Sequence, residues 1–354
     1  MSIYEYLKEY GNYTFLEEEF NEVDNVILSL ISYVDFQDIV PGLNGGKVTL
    51  KDACDKFYNR YSKKEVKSNI LAVRNASYLL KELSSTKRYK DLFLYNYSYK
   101  VTFDMQFGAL CISLPDKSIY VSYEGTDSYI SGWREDFMFS YIFPTSSQKE
   151  AISYLNKVVG LFNHKVYVGG HSKGGNLALV AAMFCNPLVR MKIKHVFNND
   201  GPGLRKQEFS STRYKKISKK LISYVPKSSF IGMLLRHSDN YIVVDSKNKR
   251  LMQHDATSWL VDGNKFKRSE LSKASKKFEK GVISWLDKLD DEARKKFVDS
   301  LFLILKKAEI NDINEFKQDK INSMIKILKE TRNLNKETKN MMLSYFKNLY
   351  GEIK

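Results

Sequence analysis

The chain has 354 residues, 43% of them hydrophobic and 28% charged, and a formal net charge of +16 at pH 7. This balance is typical of a folded globular protein and excludes a disordered or fibrous one. No run of about 20 apolar residues occurs, which excludes a membrane-spanning helix.

Residues 1–94 are predicted to form a helical segment that packs on the core of the protein. Apolar residues recur at helical spacing over 25–36, 50–61 and 69–83. A cluster of proline and glycine at 41–46 predicts a loop. The acidic, polar opening of the chain does not predict a secretory signal.

The middle zone, residues 95–264, has short β-rich runs separated by helical patterns. Strands are predicted at 99–103, 109–114, 119–123, 165–168, 194–197, 221–225 and 241–244, and helices at about 147–162 and 175–184. Antiparallel strands followed by strands that alternate with helices predict an α/β fold. Its sheet would be mixed and mostly parallel, with helices on both faces.

Residues 265–354 return to helical periodicity and are predicted to form a C-terminal helical segment. Their apolar stripes favour core-facing helices over a partner groove. The stripes are Trp285, Phe297, Leu301, Leu303 and Ile304; Ile321, Met324, Ile325 and Leu328; and Met341, Met342, Tyr345, Phe346 and Leu349.

The positive charge is unevenly distributed along the chain. Residues 1–50 carry a net charge of −7, residues 265–354 carry +8, and the rest carries +15. A basic surface attracts nucleic acid or anionic lipid, but the lysines here alternate with Glu and Asp and no nucleic-acid motif accompanies them. We therefore expect a solvated surface, at most weak contact with anionic membranes, and no nucleic-acid partner.

The three cysteines are odd in number and far apart, at Cys54, Cys111 and Cys185. They predict neither a disulfide framework nor a zinc site. We expect buried thiols in a reducing, cytoplasmic compartment, and no metal.

A G-x-S-x-G pattern, Gly170-His171-Ser172-Lys173-Gly174, is the most informative motif. A β-branched run precedes it and an Ala/Leu-rich helix follows it, which is the strand–turn–helix context that this motif requires. Because the turn is sharp, Gly170 and Gly174 must lack side chains for strand and helix to approach. Ser172 would then be held in a strained conformation that exposes its hydroxyl as a nucleophile. A glycine-rich turn with a passive serine is the alternative.

A serine nucleophile needs a base, and the chain has five histidines. The acid and the histidine follow the serine in this type of site, which excludes His164 and His171. His254 is preferred because it follows the last predicted strand, where a loop can return over the edge of the sheet. His237, in a basic connecting segment, and His195, at the start of a strand, are the alternatives.

Asp200 is the preferred acid. It follows the predicted strand 194–197, and the Gly and Pro after it force a turn at the carboxyl end of that strand. Asp239, just before the last predicted strand, is the alternative acid. The acid would hold the imidazole tautomer and stabilise the imidazolium.

An oxyanion hole needs two N–H donors. Lys173, the residue after the nucleophile, would supply one. Thr126, in the loop 124–128 after the third strand, would supply the other. The aromatic-rich segment 129–143 would form either a helix packed on the sheet or a wall or lid of an acyl pocket.

Together these segments resemble the Mbeg-like family of bacterial α/β-hydrolase-fold proteins. The residues that carry the resemblance are EGTDSYISGWREDF (124–137), GGHSKGGNLA (169–178), NNDGPG (198–203), QHDATSW (253–259) and the opening NEVDNVILSLISYVDF (21–36). The oxyanion segment is also distantly similar to that of class three lipases. Those lipases place their acid in a D-x-V-P context that is missing around Tyr224-Val225-Pro226, which is a further reason to prefer Asp200.

The resemblance implies an α/β-hydrolase fold with Ser172 as nucleophile and His254 as base. From the residues and the resemblance we expect a serine hydrolase of the esterase or lipase type. Its substrate would be an acyl ester or lipid, and it would need no cofactor. The alternative is a catalytically inactive hydrolase fold that binds lipid or a protein partner.

Overall fold

An eight-stranded mixed sheet lies at the centre of the computed structural model, and its strands follow each other across the sheet in chain order. The strands are β1 (Lys47–Thr49), β2 (Phe93–Val101), β3 (Gln106–Ser113), β4 (Ile119–Tyr123), β5 (Val166–His171), β6 (Ile193–Asn199), β7 (Leu221–Pro226) and β8 (Tyr241–Val244). Strands β1 to β4 pair antiparallel, whereas β4 to β8 pair parallel. This is the mixed, mostly parallel sheet of an α/β-hydrolase fold, as predicted.

Most of the chain is described by the structure. The described residues are 1–69, 71–102, 105–126, 130–160 and 165–308, with scattered positions between 326 and 351. The side chains of residues 130–133 and the apolar stripes predicted beyond residue 320 lie outside this description. Within the described ranges, no helix is long and apolar enough to cross a membrane.

Helices precede, separate and follow the strands. In the N-terminal segment they are α1 (Ile3–Tyr10), α2 (Glu22–Ile31), α3 (Leu50–Arg60), α4 (Lys63–Ser68) and α5 (Leu71–Leu83). Between the strands they are α6 (Ile130–Met138), α7 (Ser146–Val158), α8 (Lys173–Phe184), α9 (Pro187–Lys192), α10 (Lys206–Phe209) and α11 (Thr212–Ser218). A two-stranded ribbon, β9 (Val261–Asp262) with β10 (Lys265–Phe266), precedes α12 (Lys273–Asp287) and α13 (Asp291–Lys307).

Side chains of the sheet alternate between two helical layers, because successive residues of a strand point to opposite faces. In β4, Tyr120 packs in the core formed with the N-terminal helices. Val121 and Tyr123, on the opposite face of the strand, pack in a second core with α7 and α8. Residues 1–94 therefore supply the helices on one face, where Trp259 and Phe266 also pack, and helices from between the strands cover the other.

The prediction missed β1 and the first half of β2. Strand β1 is three residues long and leads directly into α3, whose first turn is capped by the Thr49 side chain. A run this short shows no alternation of polar and apolar residues, so periodicity could not reveal it. The sheet consequently begins within the segment that was predicted to be helical.

A buried ion pair links helices α1 and α2 to the segment that precedes β2. The Asp24 carboxylate in α2 accepts a hydrogen bond of 2.8 Å from Arg88 Nε and further bonds from the hydroxyls of Tyr6 and Tyr89. Both charged side chains are fully buried. Removing one partner of such a pair is strongly destabilising, because the other charge is left uncompensated.

Helices α12 and α13 pack on the segment around α6. Tyr141, Trp285 and Phe297 form the centre of this smaller core. The core-facing prediction is wrong for Leu303, which is 43% exposed, because the stripe of α13 is narrower than the run of apolar letters around it.

Candidate active site

Ser172 lies at the sharp junction between β5 and α8. Its φ of 57° and ψ of −131° place it in a backbone region that side-chain-bearing residues rarely adopt. The junction is stabilised by the Ser172 N–H, which donates to the Asn199 carbonyl at 3.0 Å. The arrangement is that of a strand–turn–helix elbow, with the serine at its tip.

Two glycines make this junction sterically feasible. A Cβ on Gly170 would lie 2.3 Å from the Gly174 carbonyl carbon, and a Cβ on Gly174 would lie 2.1 Å from the Tyr123 carbonyl oxygen. Both contacts are with backbone atoms, which cannot move aside. Strand β4, strand β5 and helix α8 therefore meet only because neither position carries a side chain.

His254 is brought to Ser172 by a 3₁₀ turn, Arg250–His254, in the loop after β8. His254 Nε2 lies 3.0 Å from Ser172 Oγ. The adjacent Gln253 is buried and anchors the turn, since its side-chain oxygen accepts from Ser228 N–H at 2.7 Å. Its carbonyl accepts from the Trp259 indole at 2.9 Å.

Asp200 completes this chain of hydrogen bonds. It follows β6 with a φ of 52°, and its side chain is fully buried. Its Oδ2 lies 2.7 Å from His254 Nδ1, while Oδ1 accepts from the Ser229 hydroxyl and from Gly232 N–H at 3.2 Å. Because the carboxylate is an acceptor, the proton of neutral His254 lies on Nδ1, which leaves Nε2 free to accept from the serine.

The alternative residues lie elsewhere. Asp239 is exposed in the connection before β8. His237 lies 3.4 Å from Glu279, and His195 stacks on the Tyr167 ring. The structure thus brings together Ser172, His254 and Asp200 and none of the alternatives.

Thr126 lies in the loop after β4, and its side chain connects this loop to a buried acidic group. Its hydroxyl donates to Asp136 Oδ2 at 2.7 Å.

The neighbouring Glu135 carboxylate accepts from the Ser147 N–H at 2.9 Å and lies 3.5 Å from the Lys173 ammonium. The Lys173 side chain is fully buried and also donates to the Gln106 carbonyl at 2.8 Å. The side chain of Lys173, the residue after the nucleophile, therefore helps to hold Glu135 and Gln106 in place. This is in addition to the backbone N–H that Lys173 would offer to an oxyanion.

Burial raises the pKa of Asp136 to about 7, although the Lys173 charge and the Thr126 hydrogen bond act in the opposite direction. Its second oxygen is buried without a hydrogen-bond partner among the described residues. The folded protein consequently keeps a proton on Asp136 at pH values where an unfolded chain has lost it.

Replacement of Asp136 by Asn should make stability less dependent on pH. Unfolded Asp loses its proton near pH 3.8 and the folded group near 7, so the wild type loses stability as pH rises through this window. Urea unfolding at pH 5 and pH 8 should show that the wild type loses roughly 2–3 kcal/mol more than Asp136→Asn. The exposed Asp262→Asn is the matched control and should follow the wild type. Equal losses in the wild type and Asp136→Asn would contradict the assignment.

His171 is buried beside the serine, between two partners. Its Nδ1 lies 3.0 Å from the Tyr33 hydroxyl, and its Nε2 lies 2.7 Å from the His254 carbonyl oxygen. Burial, followed by the neighbouring His254, lowers the pKa of His171 to about 3. Tyr33 comes from the N-terminal segment; it lies in the opening 21–36 that carries the resemblance, but no chemical motif pointed to it.

Comparison with known proteins gives one family match. The Mbeg1-like family model matches residues 83–303, which is more than half of the chain. No curated protein matches the chain in sequence.

Two lipases are among the similar solved structures. A fungal lipase, solved as an inhibitor complex and described as a model for interfacial activation, is 16% identical with a TM-score of 0.31 and covers 43% of this chain. The M37 lipase is 15% identical with a TM-score of 0.33 and covers 59% of this chain. The chain spans 64% and 66% of the lengths of these lipases, slightly less than two thirds.

Proposed function

The chain belongs to the Mbeg1-like family, and we propose that this member is a serine hydrolase of the esterase or lipase type that cleaves carboxylic esters. One observation carries the proposal. Ser172, strained and only 8% exposed, is hydrogen-bonded to His254 at 3.0 Å, and His254 in turn is hydrogen-bonded to the buried Asp200 at 2.7 Å. This is the arrangement that activates a weak hydroxyl nucleophile at neutral pH.

In the first half of the reaction, Ser172 Oγ attacks the ester carbonyl while its proton passes to His254 Nε2. The resulting imidazolium is stabilised by Asp200, which accepts from Nδ1. As the tetrahedral intermediate collapses, His254 returns the proton to the departing alkoxide, which leaves as the alcohol. The acyl group remains on Ser172 as an ester.

In the second half, His254 removes a proton from water, and the hydroxide attacks the acyl carbonyl. Collapse of the second intermediate releases the carboxylic acid, and His254 returns the proton to Ser172. Both halves conserve atoms and charge without a metal or an organic cofactor.

The oxyanion of each intermediate would be bound by the N–H groups of Lys173 and Thr126. Lys173 is the first residue of α8, where the unpaired N–H groups and the helix dipole favour negative charge. Thr126 is held by Asp136, and Lys173 by Glu135, so both donors are fixed before substrate arrives.

The chemistry is tested with p-nitrophenyl esters of increasing acyl length. We expect release of p-nitrophenolate that saturates with substrate and stops after pretreatment with a fluorophosphonate, which phosphonylates activated serines. The acyl length with the highest kcat/KM would report the size of the acyl site. Absence of both turnover and phosphonylation would contradict the proposal.

One observation favours the alternative function, lipid binding by an inactive fold. The residues just before His254 combine exposed cations, Lys247, Lys249 and Arg250, with Leu251 and Met252, which are 64% and 47% exposed. Apolar side chains flanked by cations are suited to an anionic membrane surface. Absence of ester turnover, together with sedimentation on phosphatidylglycerol vesicles that weakens as salt rises, would favour this function.

We further propose a cytoplasmic location. Cys54, Cys111 and Cys185 are all free and buried. Burial raises the pKa of the Cys111 thiol to about 12 and that of Cys185 to about 11. Inert thiols with no bridging role are consistent with a reducing compartment.

A further inference from the structure

A second histidine, which takes no proton in the proposed reaction, contacts the backbone of His254. His171 Nε2 lies 2.7 Å from the His254 carbonyl oxygen, and the two ring centroids are 4.6 Å apart. A carbonyl oxygen can only accept, so the proton of His171 must lie on Nε2. Nδ1 is then an acceptor, and the group that faces it at 3.0 Å is the Tyr33 hydroxyl.

When His171 is neutral, one arrangement of protons satisfies all three groups. The Tyr33 hydroxyl donates to His171 Nδ1, and His171 Nε2–H donates to the His254 carbonyl. The Tyr33 hydroxyl also lies 3.3 Å from the His171 carbonyl, but the contact with Nδ1 is shorter. Because both Tyr33 and His171 are buried, no bulk water competes for these bonds.

The His254 carbonyl matters because the residue has little regular structure to hold it. His254 ends a single 3₁₀ turn, and its ring is 28% exposed. Rotation of this peptide group would move the imidazole relative to Ser172. Misplacement of a reacting group by about 1 Å can cost about 100-fold in rate.

Tyr33 also contacts the loop that carries Thr126. A Cβ on Gly125 would lie 1.9 Å from the Tyr33 hydroxyl and 2.6 Å from the His171 carbonyl oxygen. Gly125 therefore permits the Tyr33 hydroxyl to sit between the loop and the elbow. Tyr33 is the second residue after α2 and lies outside residues 83–303.

We propose that Tyr33 and His171 are positioning residues of the hydrolase. The Tyr33 hydroxyl fixes the Nε2–H tautomer of His171, and this N–H holds the backbone of His254 so that its imidazole faces Ser172. The proposal rests on the proposed function, and it assigns to the N-terminal segment a direct part in arranging the site.

The first test is Tyr33→Phe, which removes only the hydroxyl. We expect kcat for p-nitrophenyl butyrate and the fluorophosphonate labelling rate both to fall about tenfold, with KM changed less than twofold. Tyr58→Phe is the matched control. It removes a hydroxyl that donates to the Ser77 carbonyl at 2.8 Å within the same segment, and it should leave the rates unchanged. Unchanged rates in Tyr33→Phe would overturn the proposal.

The second test separates the hydrogen bond from the packing of His171. His171→Gln keeps an N–H donor near the position of Nε2, whereas His171→Met has similar bulk and no donor. We expect the Met variant to lose about 100-fold in kcat and the Gln variant to recover about tenfold of that loss. Equal losses in the two variants would show that His171 only fills space.

A spectroscopic measurement keeps the two proposals distinguishable. In protein labelled with ¹⁵N-histidine, His171 should show the neutral Nε2–H tautomer from pH 5 to pH 8, and Tyr33→Phe should change its Nδ1 shift. If this signature is present but wild-type Ser172 does not react with the fluorophosphonate, the hydrolase function is wrong and the positioning role falls with it. If Ser172 reacts but the signature is absent, only the positioning role is wrong.

Discussion

Ser172→Ala should lower kcat for p-nitrophenyl esters by about 10⁶-fold and abolish covalent labelling by a fluorophosphonate. The substitution removes the only atom that forms the acyl bond, and it leaves a methyl group where the His254 imidazole would accept a proton. A residual rate above that in water is expected, because the N–H donors of Lys173 and Thr126 remain in place. Labelling is followed by the mass increase of the intact protein.

Ser122→Ala is the matched control for this experiment. Ser122 is buried in β4, and its hydroxyl donates to the Leu28 carbonyl at 3.0 Å, away from His254. Its replacement should leave labelling and turnover intact. Equal labelling of the wild type and Ser172→Ala would show that another residue is the nucleophile.

Asp200→Asn should lower kcat by about 10⁴-fold at neutral pH. The amide group can donate to His254 Nδ1, which favours the tautomer with its proton on Nε2. That tautomer cannot accept the proton of Ser172, and the imidazolium loses its stabilising charge. The size and shape of the side chain are preserved, so the effect should fall on kcat much more than on KM, as measured with p-nitrophenyl butyrate.

Asp239→Asn provides the comparison, since Asp239 was the alternative acid and is exposed. We expect its kcat to stay within twofold of the wild type. If Asp239→Asn lost activity and Asp200→Asn kept it, the acid would be misassigned despite the 2.7 Å contact between Asp200 and His254.

The sequence alone predicted that Ser172, His254 and Asp200 would lie together, because each has a local signal. Ser172 has glycines at fixed positions on either side, and the other two follow predicted strands and precede turn residues or a loop. Each of these signals depends only on residues that are close in the chain, so a single sequence is enough to reveal it. Most of the strands were equally accessible, since they are long enough to show periodicity.

The residues that support Ser172 and His254 could not be predicted in this way, because they have no local signal in the sequence. Tyr33 lies 138 residues before His171, and its apolar neighbours gave it no distinguishing pattern. The Lys173 side chain would ordinarily be assigned to solvent, because lysine is rarely buried without a partner. Its partner Glu135 is 38 residues away, and only the folded chain brings the two charges together.

The layer formed by α1 to α5 has a consequence for where this protein can be cut. Residues such as Ile112, Tyr120 and Phe197 bury their side chains against that layer. An excised fragment beginning at residue 83 would expose this face of the sheet to solvent. It would also leave the Arg88 guanidinium without its partner Asp24. Such a fragment is an aggregation hazard. We therefore expect the smallest autonomous folding unit to start well upstream of residue 83, where the match to the family model begins.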